Sequence, residues 1–307
     1  MNEKLVRFNP ESKRISQLNS VWPDTKYFLL MKFIITVLIS CSFGYYSFSQ
    51  STYSLLEAKT LGSTGFDFIS SIKVDNNNNI YGMARTSSTT NDNDLNIDFY
   101  GSADIWLLKL NQQKNIIWQK SYGGDGFEIA GGMNILPNGN VILFINSQSD
   151  VSGNRTAVKK GTGQDVWVVE VDESNGDIVQ QRSIGGDDFD FFMESEIKSN
   201  GEIVVLFTTN DSGTNSFDIA EPPHSLDSVT TDPWIGVLDA QLNIIQQKRI
   251  VQGPTREFGG SGFSSLLITD DFVYIASTSV RNVGGYKSDS SFNFSSNPFS
   301  PMRLLVD

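Results

Sequence analysis

From residue 54 onward the chain alternates short apolar runs with polar turns, and it nowhere keeps apolar residues at helical spacing. The runs "IYGMART" (80–86), "VILFINS" (141–147), "IVVLFTT" (203–209) and "VYIASTS" (273–279) follow turn-forming stretches and read as strands. They recur at intervals of 61, 62 and 70 residues, which is the mark of a repeat architecture. Asn-Gly at 138–139 and 200–201 supplies positive φ for tight hairpins in two of the copies.

Further landmarks keep the same register. Trp106, Trp167 and Trp234 stand mid-strand, with Met302 in the fourth copy. Asp104, Asp165 and Asp232 precede each Trp by two residues, with Ser300 in the fourth. Asn111, Asp172, Asp239 and Asp307 follow by five. Then comes a polar-apolar strand: "NIIWQKSY" (115–122), "DIVQQRSI" (177–184) and "NIIQQKRI" (243–250), with its first copy at "SLLEAKTL" (54–61). Each unit therefore has strands A, B, C and D, in the approximate units 62–122, 123–184, 185–250 and 251–307.

Repeated four-stranded units predict an all-β fold, a β-propeller of about four blades. The N-terminal D strand, 54–61, is expected to complete the last unit's sheet. The same arithmetic fits a larger propeller cut after a C strand, and truncation is the favoured expectation.

The N-terminus changes the picture. Met31 and Lys32 precede the apolar "FIITVLIS" and a small-residue exit at "SFSQ", the pattern of a secretory signal peptide over 31–50. Residues 1–30 read as an upstream extension from a spurious start. The lone cysteine, Cys41, sits in "LISC", which resembles a lipoprotein box, so a lipid anchor through Cys41 is the alternative to cleavage near Gln50. The expected location is secreted or cell-surface. An exported chain without thiols has no disulfides to hold it, so core burial must do so.

Charge narrows the partners. The first fifty residues hold six of the 23 Lys/Arg and three of the 35 Asp/Glu, leaving 17 against 32 in residues 51–307, a net charge of −15. That balance repels nucleic acid and anionic headgroups, and argues against membrane insertion of the mature chain.

The stretch "GNVILFINSQSD … DVWVVEVDESNGDIVQQRSIGGDDFD" resembles the seven-bladed β-propeller (SBBP) repeat of bacterial surface proteins, with its turn, two strands and Gly-Gly corner followed by an acid. The resemblance covers 54–307 and implies a propeller fold and export, in the manner of proteins from bacteria with type IX secretion. It implies little about activity. The chain departs from it in having four units, Trp where the repeat has Phe, and "VQGPTREFGGSGF" (251–263) in place of the last Gly-Gly corner.

Candidate chemistry is sparse. The Trp residues are expected to pack between blades rather than to form a sugar platform. Trp118, whose counterparts are Glu57, Gln180 and Gln246, takes a solvent-tolerant position; it is expected to be an edge-strand aromatic, and it is the better candidate among the tryptophans for an exposed contact. Gly123–Gly124 and Gly185–Gly186 are expected to supply positive-φ corners. The corner acids Asp67, Glu128 and Asp190, with Glu257 roughly in register, are expected to accept backbone N–H bonds there. In "NDNDLNIDF", Asp92, Asp94, Asn96 and Asp98 alternate as calcium ligands do, but Ile97 stands where such loops need Gly and Ala103 where they need Glu. The expectation is a solvated acidic loop that binds calcium weakly or not at all. His224, the only histidine, lies in a proline-paired loop with no second metal ligand or nucleophile beside it. "DSV" (227–229) resembles a short O-glycosylation acceptor.

No catalytic constellation and no cofactor motif emerge. The long polar B–C connections, roughly 87–103, 148–164, 210–231 and 280–300, leave one face by symmetry and vary while the strands repeat. The expected function is a non-enzymatic binding or scaffold module for an extracellular glycan or protein. The alternatives are a polysaccharide hydrolase or lyase using acids of the central channel, and a structural segment of a larger surface protein.

Overall fold

The computed structural model describes residues 58–209, 217–219, 232–249, 265–268, 273–276 and 303–305. Among them there is no helix. Three antiparallel four-stranded sheets follow one another in strict sequence: β1 (Asp67–Val74) to β4 (Ile116–Tyr122), β5 (Glu128–Ile135) to β8 (Ile178–Ile184), and β9 (Asp190–Ile197) to β12 (Ile244–Arg249). Between them run β2 (Ile80–Thr86), β3 (Asp104–Leu110), β6 (Val141–Ser147), β7 (Asp165–Val171), β10 (Ile203–Thr209) and β11 (Asp232–Leu238). Each sheet is the expected A-B-C-D meander, and the repetition makes the fold propeller-like.

The turns explain several landmarks. In the A–B turns, Gly139 (φ 93°) and Gly201 (φ 86°) take the positive-φ position, and Asn78 (φ 60°) takes it in the first sheet. In the C–D turns, the residue five after each Trp closes the loop from its side chain. Asn111 Oδ1 accepts from Asn115 N at 2.9 Å, and Asp239 Oδ1 accepts from Asn243 N at 2.8 Å. One β-bulge recurs at the same place in every D strand, and its residues Ile117, Val179 and Ile245 turn outward, which accounts for these exposed apolar side chains.

Strands β3 and β7 are buried along their whole length because they are covered on both faces. In β7 the period-2 alternation sends Trp167, Val169 and Val171 into a cluster with Tyr81, Met83, Ile105 and Leu107 of the first sheet. The alternate residues Val166 and Val168 face Ile203, Val205, Phe207 and Trp234 of the third. On its other side the first sheet is covered by its own B–C connection, where Leu95 and Ile97 pack on Trp106 and Leu108. The A strands neighbour one another, and Asn134 Nδ2 donates to Ser195 O at 2.9 Å and Ser195 Oγ at 2.8 Å between β5 and β9.

Two expectations need correction. In the fourth copy, β13 (Ser265–Ile268), β14 (Val273–Ala276) and β15 (Arg303–Leu305) form a three-stranded sheet in which β15 runs parallel to β14, not as an antiparallel C strand. That copy has Ser and Met at the Asp and Trp positions, so the contacts that fix strand C elsewhere are missing from its sequence. The segment 54–61 lies partly outside the described residues, and its described part, 58–61, is not in a strand.

The glycine corners also differ from expectation. Neither Gly123–Gly124 nor Gly185–Gly186 has positive φ; glycine is needed there for room. A Cβ on Gly123 would lie 1.9 Å from Asp104 Oδ1 and 3.3 Å from Glu128 Oε2. On Gly185 it would lie 2.5 Å from Asp190 Oδ2 and 3.0 Å from Asp165 Oδ1. The C-strand acid of one sheet thus faces the A-strand acid of the next across a missing side chain.

Candidate functional site

The B–C connections carry the variable sequence, and one repeated device ties them to the framework. Trp106 Nε1 donates to Gln119 Oε1 at 2.9 Å, Trp167 Nε1 to Gln181 Oε1 at 2.9 Å, and Trp234 Nε1 to Gln247 Oε1 at 3.0 Å. The glutamine then reads the connection's backbone. Gln119 Nε2 donates to Asp94 O at 3.0 Å, while its Oε1 also accepts from Asn96 N at 3.2 Å. Gln181 Nε2 donates to Asn154 O at 3.1 Å, and its Oε1 accepts from Thr156 N at 2.9 Å. Buried indole, strand-D amide and loop backbone form one network, which orders a polar loop that lacks secondary structure. The sequence held the signal, a Gln shared by "IIWQ", "IVQQ" and "IIQQ", but it was not read as an anchor.

The strand-C acids close the same loops. Asp104 Oδ2 accepts from Tyr100 N at 2.8 Å, and Asp165 Oδ2 accepts from Lys160 N at 2.6 Å. Burial raises the Asp104 carboxyl above the ordinary carboxylate range, with a smaller push from Glu128. Burial pushes Asp165 up to about 7, although Arg155 lies 3.9 Å away. The corner acids do bind backbone N–H groups: Asp67 Oδ2 from Ser63 N at 2.6 Å, Glu128 Oε2 from Gly124 N at 3.4 Å, and Asp190 Oδ2 from Gly186 N at 2.8 Å. Glu128 Oε1 further accepts from Ser147 Oγ at 2.7 Å and Ser149 Oγ at 2.6 Å. These acids follow the repeat, are engaged by the corners, and for Glu128 and Asp190 are fully buried.

Between the first and second sheets this framework leaves a cleft of about 510 Å³. One wall is the first B–C connection, with Asn91, Asn96, Asp98 and Tyr100; the others are strand β4 from Gln119 to Tyr122, then Asn154, and the turn at Gly176–Asp177. The floor is Tyr122, whose hydroxyl donates to Gly176 O at 2.6 Å. Burial raises the Tyr100 phenol, and Asp98 adds to the effect, so it stays a neutral donor and acceptor at physiological pH. Lys120 and Asp177 pair at 3.0 Å on the rim. A second cleft, of about 600 Å³, lies where the A–B turns at 75–77, 135–139 and 197–199 converge.

The acidic stretch is divided among tasks. Asp92 Oδ1 accepts from Thr64 N at 2.9 Å, Asp94 Oδ2 accepts from Gly62 N at 3.2 Å, and Asp98 lines the cleft with Asn96. Among the described residues no three His, Cys, Asp or Glu side chains are grouped to hold a metal ion. Trp118 is not an open aromatic. It is half-buried, its Nε1 donates to Glu173 O at 3.1 Å, and it meets Tyr81 edge-on at 6.1 Å. Strand β4 is an edge within its own sheet, but its outer side chains reach the C–D turn of the next. Gln180 repeats this, donating to Ala240 O at 2.7 Å. His224, "DSV", Glu257, Cys41 and the connections near 220–231 and 280–300 lie outside the described residues.

No family model and no curated protein matches the chain. Among solved structures, it is similar to a mutant of Synechocystis apocarotenoid oxygenase at a TM-score of 0.32 and 17% identity, over 56% of this chain and 35% of that one. A catalytically inactive virginiamycin B lyase from Staphylococcus aureus, solved with quinupristin, matches at a TM-score of 0.19 and 12% identity, over 70% of this chain and 95% of that one. The chain spans about a third of the oxygenase's length, and likeness at this level bears on neither fold nor function.

Proposed function

We propose that this chain is an exported, non-enzymatic binding or scaffold module, built as a β-propeller of about four blades of the SBBP type. In this reading 31–50 is a signal peptide, residues 51–307 act outside the cell or on its surface, and the partner is an extracellular glycan or protein. The observation that carries it is the division of labour between strands and connections. The strands repeat nearly residue for residue, whereas the B–C connections differ, yet each described one is pinned by the same Trp–Gln network. Ordered, variable, polar loops on a constant frame are what a recognition surface needs. Of the corner acids that a glycosidase reading could draw on, Glu128 and Asp190 are fully buried and bound to their corners, which supports a structural role for them.

The test is a glycan array probed with the secreted chain, alongside assays of the same polysaccharides for chain cleavage. Retention of a glycan without cleavage is the expected result. Shortened products from any of them would overturn the binding reading in favour of an enzyme. Intact mass of secreted material should begin after Gln50; residues 1–30, or a lipid on Cys41, would overturn the export scheme.

A further inference from the structure

The repeat allows each junction between sheets to be compared with the next, position by position. Tyr100 and Lys160 correspond, because the backbone N–H of each donates to the strand-C acid, Asp104 or Asp165. Asn154 and Asp218 correspond, because their backbone N–H groups donate to the corner carbonyls of Gly123 (3.2 Å) and Gly185 (3.3 Å). Lys120 and Arg182 correspond through their strand partners Leu107 and Val168.

At the second junction these three positions are charged and satisfy one another. Arg182 Nη2 pairs with Asp218 Oδ1 at 2.8 Å, Lys160 Nζ lies 3.6 Å from Asp218 Oδ2, and Arg182 Nη1 donates to Leu242 O at 3.2 Å. At the first junction the group is dismantled. Asn154 turns its amide into the frame, donating to Ser121 O at 2.8 Å and accepting from Gly123 N at 3.0 Å. Lys120 swings to the rim and Asp177, and Tyr100 offers a phenol in place of an ammonium. All three of these first-junction positions, Tyr100, Lys120 and Asn154, line the 510 Å³ cleft.

Structural features of a repeat recur, and a place where the repeat is broken toward an open, polar, ordered cleft is a candidate for selection by a ligand. We infer that the cleft beside Tyr100 binds a neutral saccharide, an inference that rests on reading the chain as a glycan-binding module. The chemistry fits that class. Amide and phenol groups of Asn91, Asn96 and Tyr100 offer donors and acceptors to a polyol, and the half-buried Ile178 gives a strip for a sugar C–H face. The volume is that of ligand pockets in general, about 300–1,000 Å³. The charge excludes the acidic sugars: Lys120 is neutralised by Asp177, and Asp98 leaves the cleft net negative.

The experiment is isothermal titration of the secreted chain with neutral hexo-oligosaccharides (cello-, laminari-, malto- and galacto-series) and with oligogalacturonates. Binding of a neutral series at least tenfold tighter than the uronates is expected. Tyr100→Lys with Asn154→Asp, which places the charges of the second junction here, should weaken it at least tenfold, with the melting temperature followed because Asp cannot give Ser121 O the hydrogen bond that Asn154 gives. Should that pair melt early, Asn96→Ala and Asp98→Asn decide the matter from exposed positions. The first should weaken binding, and the second should narrow the gap between neutral and uronic ligands. Neutral binding unmoved by these changes would overturn the cleft while sparing the wider glycan reading. Absence of neutral binding, or tighter binding of uronates, would overturn the inference outright, and a chain that bound only proteins would leave the binding-module reading intact.

Discussion

Trp167 gives its indole N–H to Gln181 at 2.9 Å while its ring lies fully buried between the first and second sheets, with the Arg155 guanidinium 5.6 Å over it. One residue thus joins the packing of two sheets to the ordering of a loop. Trp167→Ala should cost about 3–5 kcal/mol, the range for a large aromatic truncated in a packed core. Gln181→Leu should cost about 1–3 kcal/mol, because it strands a buried donor. Urea unfolding of both variants measures the ratio; equal losses would mean that the hydrogen bond, not the ring, dominates.

Trp118 should be cheaper to remove than Trp167 but dearer than an exposed residue. Its ring is half-buried against Tyr81, and its N–H is spent on Glu173 O of the neighbouring sheet. Trp118→Ala is expected to lower the melting temperature by less than half the shift of Trp167→Ala. Matching shifts would place both rings in equally closed interfaces.

The corners make a sharper contrast. Gly139→Ala meets nothing nearer than 3.7 Å and costs only its positive φ, about 1–2 kcal/mol. Gly123→Ala must displace the Asp104 carboxylate, which already holds the N–H groups of Tyr100 and Gly101. It should destabilise more than Gly139→Ala, although its backbone φ suits any residue. Thermal melts of the two variants compare space with strain directly.

How far the sequence foretold this structure depends on what each residue answers to. Strand order, period and the burial of Trp106, Trp167 and Trp234 were legible because alternation and register are written in neighbouring residues. The reason for Gly123 was not, since it depends on Asp104 and Glu128, brought there by strands of two different sheets. The edge position of Trp118 is legible in its counterparts, but its closure is not, because its partner Glu173 is 55 residues away. The cleft could not be read from composition, because its lining is gathered from 91–100, 119–122, Asn154 and 176–178, which only the packed sheets bring together.

The acidic loop should be indifferent to calcium. Asp92 and Asp94 already accept N–H bonds from Thr64 and Gly62, and Asp98 faces the cleft. Melting in chelator and in millimolar calcium should coincide. A rise with calcium that Asp94→Ala abolishes would show that these carboxylates gather around an ion after all.

Asp165 should make stability fall as pH rises through the mildly acidic range. Its carboxyl is fully buried, and burial pushes it up to about 7, outweighing the N–H of Lys160 and the positive charges of Arg155, Lys159 and Lys160 around it. Asp190 faces it across Gly185 and adds a second buried carboxyl. A group raised in the folded state binds its proton more tightly there than in the unfolded chain. Its contribution is complete below the ordinary value of 3.8 and is lost as pH climbs toward 7. Asp104, also raised, acts in the same direction. Asp75, Glu202 and Asp239 are lowered by hydrogen bonds from nearby turn residues, with Lys198 the partner for Glu202, so their contributions are lost only as pH falls toward and below their ordinary values. Asp165→Asn keeps an acceptor for Lys160 N and cannot ionise, so it should come closest to the parent below the ordinary value of 3.8 and gain on it steadily as pH rises to 8. Parallel melting curves for the two proteins from pH 4.5 to 8 would mean that Asp165 ionises in the folded chain as readily as in the unfolded one.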